Sequence, residues 1–248
     1  MTTEQYLLEL IQAKNDMKEA LREKGVEVWG GLNTYPDAIY QIKPMYLLDG
    51  MKLENSRWEY LPNYDFSYVT DFSRMFAGCN RLTYLPRINA SNSTTLSRMF
   101  YSCQTLNNIG YMNTSNVLDM QYTFYNCSSL TTIPELDAVS VKQRDGNGGT
   151  SMMFSSASLL QNFGGLKNLH CDLDVRYCNQ LTHSSLLNII NGLYDWTTNP
   201  DGVYNSDYYD VVFPGTWITP QLNLGGTNLA KLTADEITIA TNKGWTVL

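Results

Sequence analysis

Few residues in this 248-residue chain are of types and spacings that do chemistry, and the richest group lies late. His170, Cys171, Cys178 and His183 supply four nitrogen or sulfur donors within 14 residues. Zinc sites of the common kinds pair their ligands at shorter, regular spacings, and C-x6-C with flanking histidines matches none of them. A Ser–His–acid arrangement would have to use one of the same two histidines, and neither sits in a nucleophile context. Gly146-Asn147-Gly148-Gly149 has the backbone freedom for an anion-binding nest, but no strand–helix signature surrounds it, and a loop is the simpler reading. Asp172-Leu173-Asp174 puts two acids on one face of a strand, whereas a glycosidase needs carboxyl groups across a cleft with one desolvated. The expectation is therefore no catalysis, no cofactor and no metal.

Aromatic residues offer a different chemistry. The segment 194–217 gathers Tyr194, Trp196, Tyr204, Tyr208, Tyr209 and Trp217 with Asp195, Asp201, Asp207 and Asp210. Tyrosine and tryptophan give large contact area at low entropy cost, and carboxylates accept from sugar hydroxyls. Those six aromatics are the candidate ligand-binding set. The competing reading is a hairpin whose rings pack on the neighbouring fold, and it is slightly the stronger of the two.

What positions these residues is a repeat. FSRMFAGCNRLTYLP (72–86), LSRMFYSCQTLNNIG (96–110) and MQYTFYNCSSLTTIP (120–134) align without gaps. Phe76, Phe100 and Phe124 are 24 apart, and Cys79/Cys103/Cys127, Leu82/Leu106/Leu130 and Leu85/Ile109/Ile133 keep the same step. Phe154 follows after 30 residues, the surplus falling in the Gly-rich KQRDGNGGT (142–150), and Cys178 and Leu181 continue two of the columns. About five repeats of 21–30 residues result, between 66 and 185. One unit holds four or five large apolar side chains, worth roughly 1.5–3 kcal/mol each on burial. Ordering its backbone costs roughly 24–48 kcal/mol, so a unit must be covered by its neighbours. Five cysteines is an odd count, and Ala157 stands in the cysteine column. A slot shared by Cys and Ala is a small core slot rather than half of a disulfide.

The pattern F-x-x-C-x-x-L-x-x-[LI]-P, with SNV-x-x-M between units, resembles the BspA-like leucine-rich repeats of bacterial surface proteins. That resemblance implies a mainly β, leucine-rich-repeat-type solenoid with short helices. The expected organisation is a helical anchoring or oligomerisation segment (1–45), the solenoid (46–193), and an aromatic insertion with a C-terminal helical cap (194–248).

At the N-terminus residues 3–24 read as a helix with Leu7, Leu10, Ile11, Met17 and Leu21 on one narrow stripe, suited either to packing on the chain's own second short helix or to a seam with sister chains. QAKNDMKEALREKGVEV followed by YPDAIYQI is similar to the opening of tail and fibre proteins of gut bacteriophages of the Bacteroides type. The resemblance implies a virion location, other virion proteins as partners, and a homo-oligomer, a trimer being the common case. Glu4, Glu9 and Gln12 interrupt the only run that could serve as an export signal, in keeping with synthesis in a host cytoplasm. No stretch approaches the roughly 18 apolar residues of a membrane span. A net charge of −7 with no basic stripe argues against nucleic acid.

Near the C-terminus LTHSSLLNIINGL (181–193) reads as a helix with Leu186, Leu187, Ile190 and Leu193 inward. LNLGGTNLAKL (222–232) reads as a last strand and turn. Thr233-Ala234-Asp235-Glu236 is a capping box opening a helix to Asn242, stopped at Lys243-Gly244. The function expected is a structural virion protein that anchors by its N-terminus and adheres through its repeats to a host surface glycan or protein. The alternatives are a bacterial surface adhesin or interaction scaffold and, further off, a carbohydrate-active enzyme.

Overall fold

Each repeat is built from two consecutive tight turns. In the first, the Met75 amide closes onto the Phe72 carbonyl, and in the second the Cys79 amide closes onto that of Phe76. The third residue of each turn, Arg74 or Gly78, has a positive φ, as in type II turns. The same pair of turns recurs at 96–103, 120–127 and 150–157, with Arg98 and Ser102, Tyr122 and Asn126, and Met152 and Ser156 left-handed. The computed structural model describes residues 66–141, 149–198 and 219–248, all within one unit that spans Met45–Leu248.

Amides that do not close a turn reach the next repeat. Arg74, Phe76 and Gly78 donate to the carbonyls of Ser97, Met99 and Tyr101 at 2.7–2.9 Å. Arg98, Phe100 and Ser102 donate in turn to Gln121, Thr123 and Tyr125, and Tyr122, Phe124 and Asn126 to Ser151, Met153 and Ser155. With the alternate amides of the first three turn pairs bonded to the following layer, the repeats lie as parallel layers in one register.

Short parallel strands follow the turns in each layer. They are β1 (Tyr84–Leu85), β2 (Ile88–Asn89), β3 (Asn108–Ile109), β4 (Met112–Asn113), β5 (Thr132–Ile133), β6 (Leu136–Asp137), β7 (Asn162–Phe163), β8 (Leu166–Lys167) and β9 (Leu173–Asp174). After β9 come helix α1 (His183–Gly192), β10 (Gln221–Asn223), α2 (Gly225–Leu229), α3 (Ala234–Asn242) and β11 (Thr246–Val247). The strands form separate parallel sheets, ordered β1-β3-β5-β7, β2-β4, β6-β8 and β11-β10-β9.

This corrects the expected fold class. The described chain is mixed α/β, with small parallel sheets and few helices, and not a mainly β leucine-rich-repeat solenoid. The reason is local. Left-handed corners and short side-chain-to-backbone turns, such as Asn89 and Asn113 accepting from the Ser91 and Ser115 amides, break the perimeter after two residues. Beyond Leu181 the apolar spacing changes from strand-and-turn to helical, and α1, α2 and α3 take over.

The core runs through the layers as side-chain columns. Phe76, Phe100, Phe124 and Phe154 stack face to face at 5.6–5.9 Å and are at most 1% exposed. All five cysteines are free and buried. The Cys103 and Cys127 thiols donate to the Phe76 and Phe100 carbonyls of the preceding layer, at 2.9 and 3.1 Å. Burial pushes the Cys127 and Cys178 thiols up to about 12, which leaves them neutral and unreactive.

The C-terminal segment continues this pairing. Strand β10 lies on β9, with Leu222 opposite Leu173. Asn228, fully buried on α2, donates to the carbonyls of Val175, Cys178 and Leu224. Helices α1 and α3 run side by side, tied at one end by His183 to Glu236 (2.9 Å). At the other end Lys243 Nζ donates to the Ile190, Asn191 and Leu193 carbonyls, the last acceptors of α1, where a cation also complements the helix dipole. The capping box forms as read, Thr233 and Glu236 exchanging hydrogen bonds. In α1, Leu187 is only half-buried and Ile189 is inward instead.

Gly164 shows how tightly the layers approach. A Cβ there would lie 2.1 Å from the Glu135 amide nitrogen, whereas one on Gly226 would meet nothing within 4 Å. Gly164→Ala should therefore destabilise by about 2–3 kcal/mol, with Gly226→Ala close to neutral, as read by chemical denaturation.

Candidate binding face

Two columns of left-handed residues run up the layers, and their residue types differ. The column Gly78, Ser102, Asn126, Ser156 holds small residues, and Gly and Asn are the types that tolerate positive φ. The column Arg74, Arg98, Tyr122, Met152 holds large side chains at φ of 53–58°. Any residue with a Cβ pays about 1–2 kcal/mol for that conformation, so Ser102 and Ser156 carry the cost as well. None of the four is fully buried, and Met152 is 50% exposed. The columns share their backbone conformation and differ in the size of the side chains they display.

The neighbouring surface is aromatic. Tyr101 and Tyr125 stack one layer apart at 4.8 Å and 5°, and Tyr122 leans on both at 6.4 and 5.7 Å. The Arg98 guanidinium sits 4.6 Å over the Tyr122 ring. Asp119 is occupied within its own turn, accepting from the Gln121 amide and from Gln121 Nε2, both at 2.9 Å. The face therefore presents guanidinium groups, ring edges and tyrosine hydroxyls on a backbone fixed by the layer-to-layer hydrogen bonds.

The residues singled out in the sequence fall elsewhere. Tyr194 and Trp196 pack inward with His170, at ring separations of 4.1 and 5.7 Å, and Trp196 is 8% exposed. The Trp245 indole donates to the Tyr194 carbonyl, and the Trp196 amide to that of Lys243. These two aromatics join the core to the C-terminal segment. Burial holds the His170 imidazole down to about 4, so it is neutral there. Tyr204, Tyr208, Tyr209 and Trp217 lie outside the described residues, as do Leu7, Leu10, Ile11, Met17, Leu21 and Gly146, Asn147 and Gly148 of the Gly-rich loop.

The four histidine and cysteine donors are scattered among other partners. His170 is packed between Tyr194 and Trp196, the Cys178 thiol points at the Phe154 carbonyl, and His183 meets Glu236 at the surface. Among the described residues no group of three or more His, Cys, Asp or Glu is placed to hold a metal. Asp172 accepts from the Gln221 amide, its carbonyl accepts from Thr150, and Asp174 is paired with Arg176. Both acids are thus committed to local structure.

Residues 47–164 match the family model described as "Mycoplasma protein of unknown function, DUF285". The match supports a BspA-like repeat protein. The match takes in the layers whose turns hold Arg74, Arg98, Tyr122 and Met152. No curated protein and no solved structure matches the chain.

Sequence reasoning missed this face although part of its signal was visible. Arg74, Arg98 and Tyr122 occupy one column two residues before the phenylalanine, so reading the non-apolar columns would have lined them up. Their left-handed conformation leaves no trace in residue type, since glycine is what it would normally demand. Replacing Arg74 by Gly should raise stability by about 1 kcal/mol, measured as a higher denaturation midpoint with an unchanged slope.

Proposed function

We propose that this chain is a non-enzymatic attachment protein that engages the surface of a bacterial cell through the Arg74–Arg98–Tyr122–Met152 face. The reading is supported above all by large side chains displayed in one left-handed column where the twin column takes small ones. A scaffold that displays side chains on a backbone bonded from layer to layer suits recognition better than catalysis, which needs a water-excluding cleft. The phage-like opening motif supports a virion fibre, tail or decoration protein, anchored to other virion proteins by the stripe Leu7–Leu21 and assembled as a homo-oligomer.

A second reading is a surface adhesin or interaction scaffold of a bacterium itself. The family description, which names a Mycoplasma protein, favours it. Both readings use the same face and differ in what carries it.

Immunodetection in purified virions and in fractions of the producing cells separates the two. The virion reading expects the chain in particles at fixed stoichiometry. Its absence from particles and enrichment in the cell envelope would overturn that reading in favour of the adhesin. In either case the purified chain should bind intact bacteria, and Tyr101→Ala with Tyr125→Ala should abolish that binding while leaving the fold intact.

A further inference from the structure

The face carries a second cost besides strain. Arg74 and Arg98 occupy the same column of adjacent layers, with the Arg74 amide bonded to the Ser97 carbonyl and the Arg98 amide to that of Gln121. Like charges placed opposite one another in paired layers repel. Among the described residues neither guanidinium forms an ion pair, and Arg98 has only the Tyr122 ring. An anionic group between them would relieve the repulsion and could accept from both forks, the strongest hydrogen bonds a carboxylate makes.

The adjacent tyrosines narrow the ligand further. Tyr101 and Tyr125 each spend one ring face on the other, so a ligand meets the remaining faces, the edges and the hydroxyls. That surface suits a hydroxyl-rich partner and offers no pocket for an apolar anchor. An extended peptide cannot join as an added strand, because the amides of this segment are consumed between layers or within turns. Arginine recurs in two adjacent layers (Arg74, Arg98) and tyrosine in two (Tyr101, Tyr125), a short one-layer step that fits a ligand with its own translational repeat.

Building on the attachment reading, we propose that this face binds an acidic polysaccharide. The polymer lies along the direction in which the layers stack, with a uronate carboxylate between Arg74 and Arg98 and sugar rings against Tyr101, Tyr122 and Tyr125. The chain's net charge of −7 makes the claim discriminating, since a non-specific polyanion would be repelled by the protein as a whole.

Calorimetric titration of the full chain with polygalacturonate and with alginate, using neutral dextran as control, tests this at low and moderate salt. Binding to at least one acidic polymer and not to dextran is expected, weakened by salt. Arg74→Gly with Arg98→Gln should weaken it roughly tenfold or more while the melting temperature holds or rises. Arg98→Lys, which keeps charge but loses the bidentate fork, serves as the second variant and should weaken it partially. Equal binding to dextran, binding unchanged in the double variant, or no binding to either acidic polymer would overturn the proposal. If cell binding persists and still depends on Tyr101 and Tyr125 while the acidic polymers fail, the ligand class is wrong and the attachment reading stands. If cell binding is absent as well, both fall.

Discussion

The amides of Arg74, Phe76 and Gly78, and their counterparts one and two repeats on, donate to carbonyls of the following layer, and most other features follow from that pairing. It forces successive repeats into parallel register, so side chains of one type fall above one another. Phenylalanine can then stack on phenylalanine at 5.6 Å, and a cysteine thiol finds the carbonyl of the layer before it. The intervening amides must close tight turns, and those turns require a left-handed residue at fixed places. Layers this close also restrict what can stand between them, as Gly164 against the Glu135 backbone shows.

The same constraint explains why the surface columns are informative. Two positions per layer must adopt positive φ whatever residue is there. One takes Gly, Ser, Asn and Ser, small residues throughout. The other takes Arg, Arg, Tyr and Met, large side chains at the same backbone angle. The two columns act as internal controls for each other, sharing a backbone and differing in what their side chains are kept for.

Much of the core was legible in the sequence. The 24-residue step of Phe76, Phe100 and Phe124, the Ala157 that marks the cysteine column as core, and the capping box at Thr233 all reflect local or strictly periodic constraints. The fold class was not, because periodicity reports that layers repeat but not how long each strand runs. Turn chemistry at Asn89 and Asn113 cut the strands to two residues, and the helices α1 to α3 made the whole mixed α/β. Tyr194 and Trp196 follow the packing alternative: an aromatic suited to a ligand is equally suited to a core, and His170 and Trp245 supplied the core. The binding face escaped because its decisive property is a backbone angle that its residues do not advertise.

Native-state hydrogen exchange on the amides of Phe76, Phe100 and Phe124 tests the layer pairing most directly. The account expects all three to exchange together and slowly, only through the largest cooperative opening, because each is bonded to the next layer beneath a buried ring. Fast or unequal exchange at these three positions, under conditions where α1 and α3 remain protected, would contradict it.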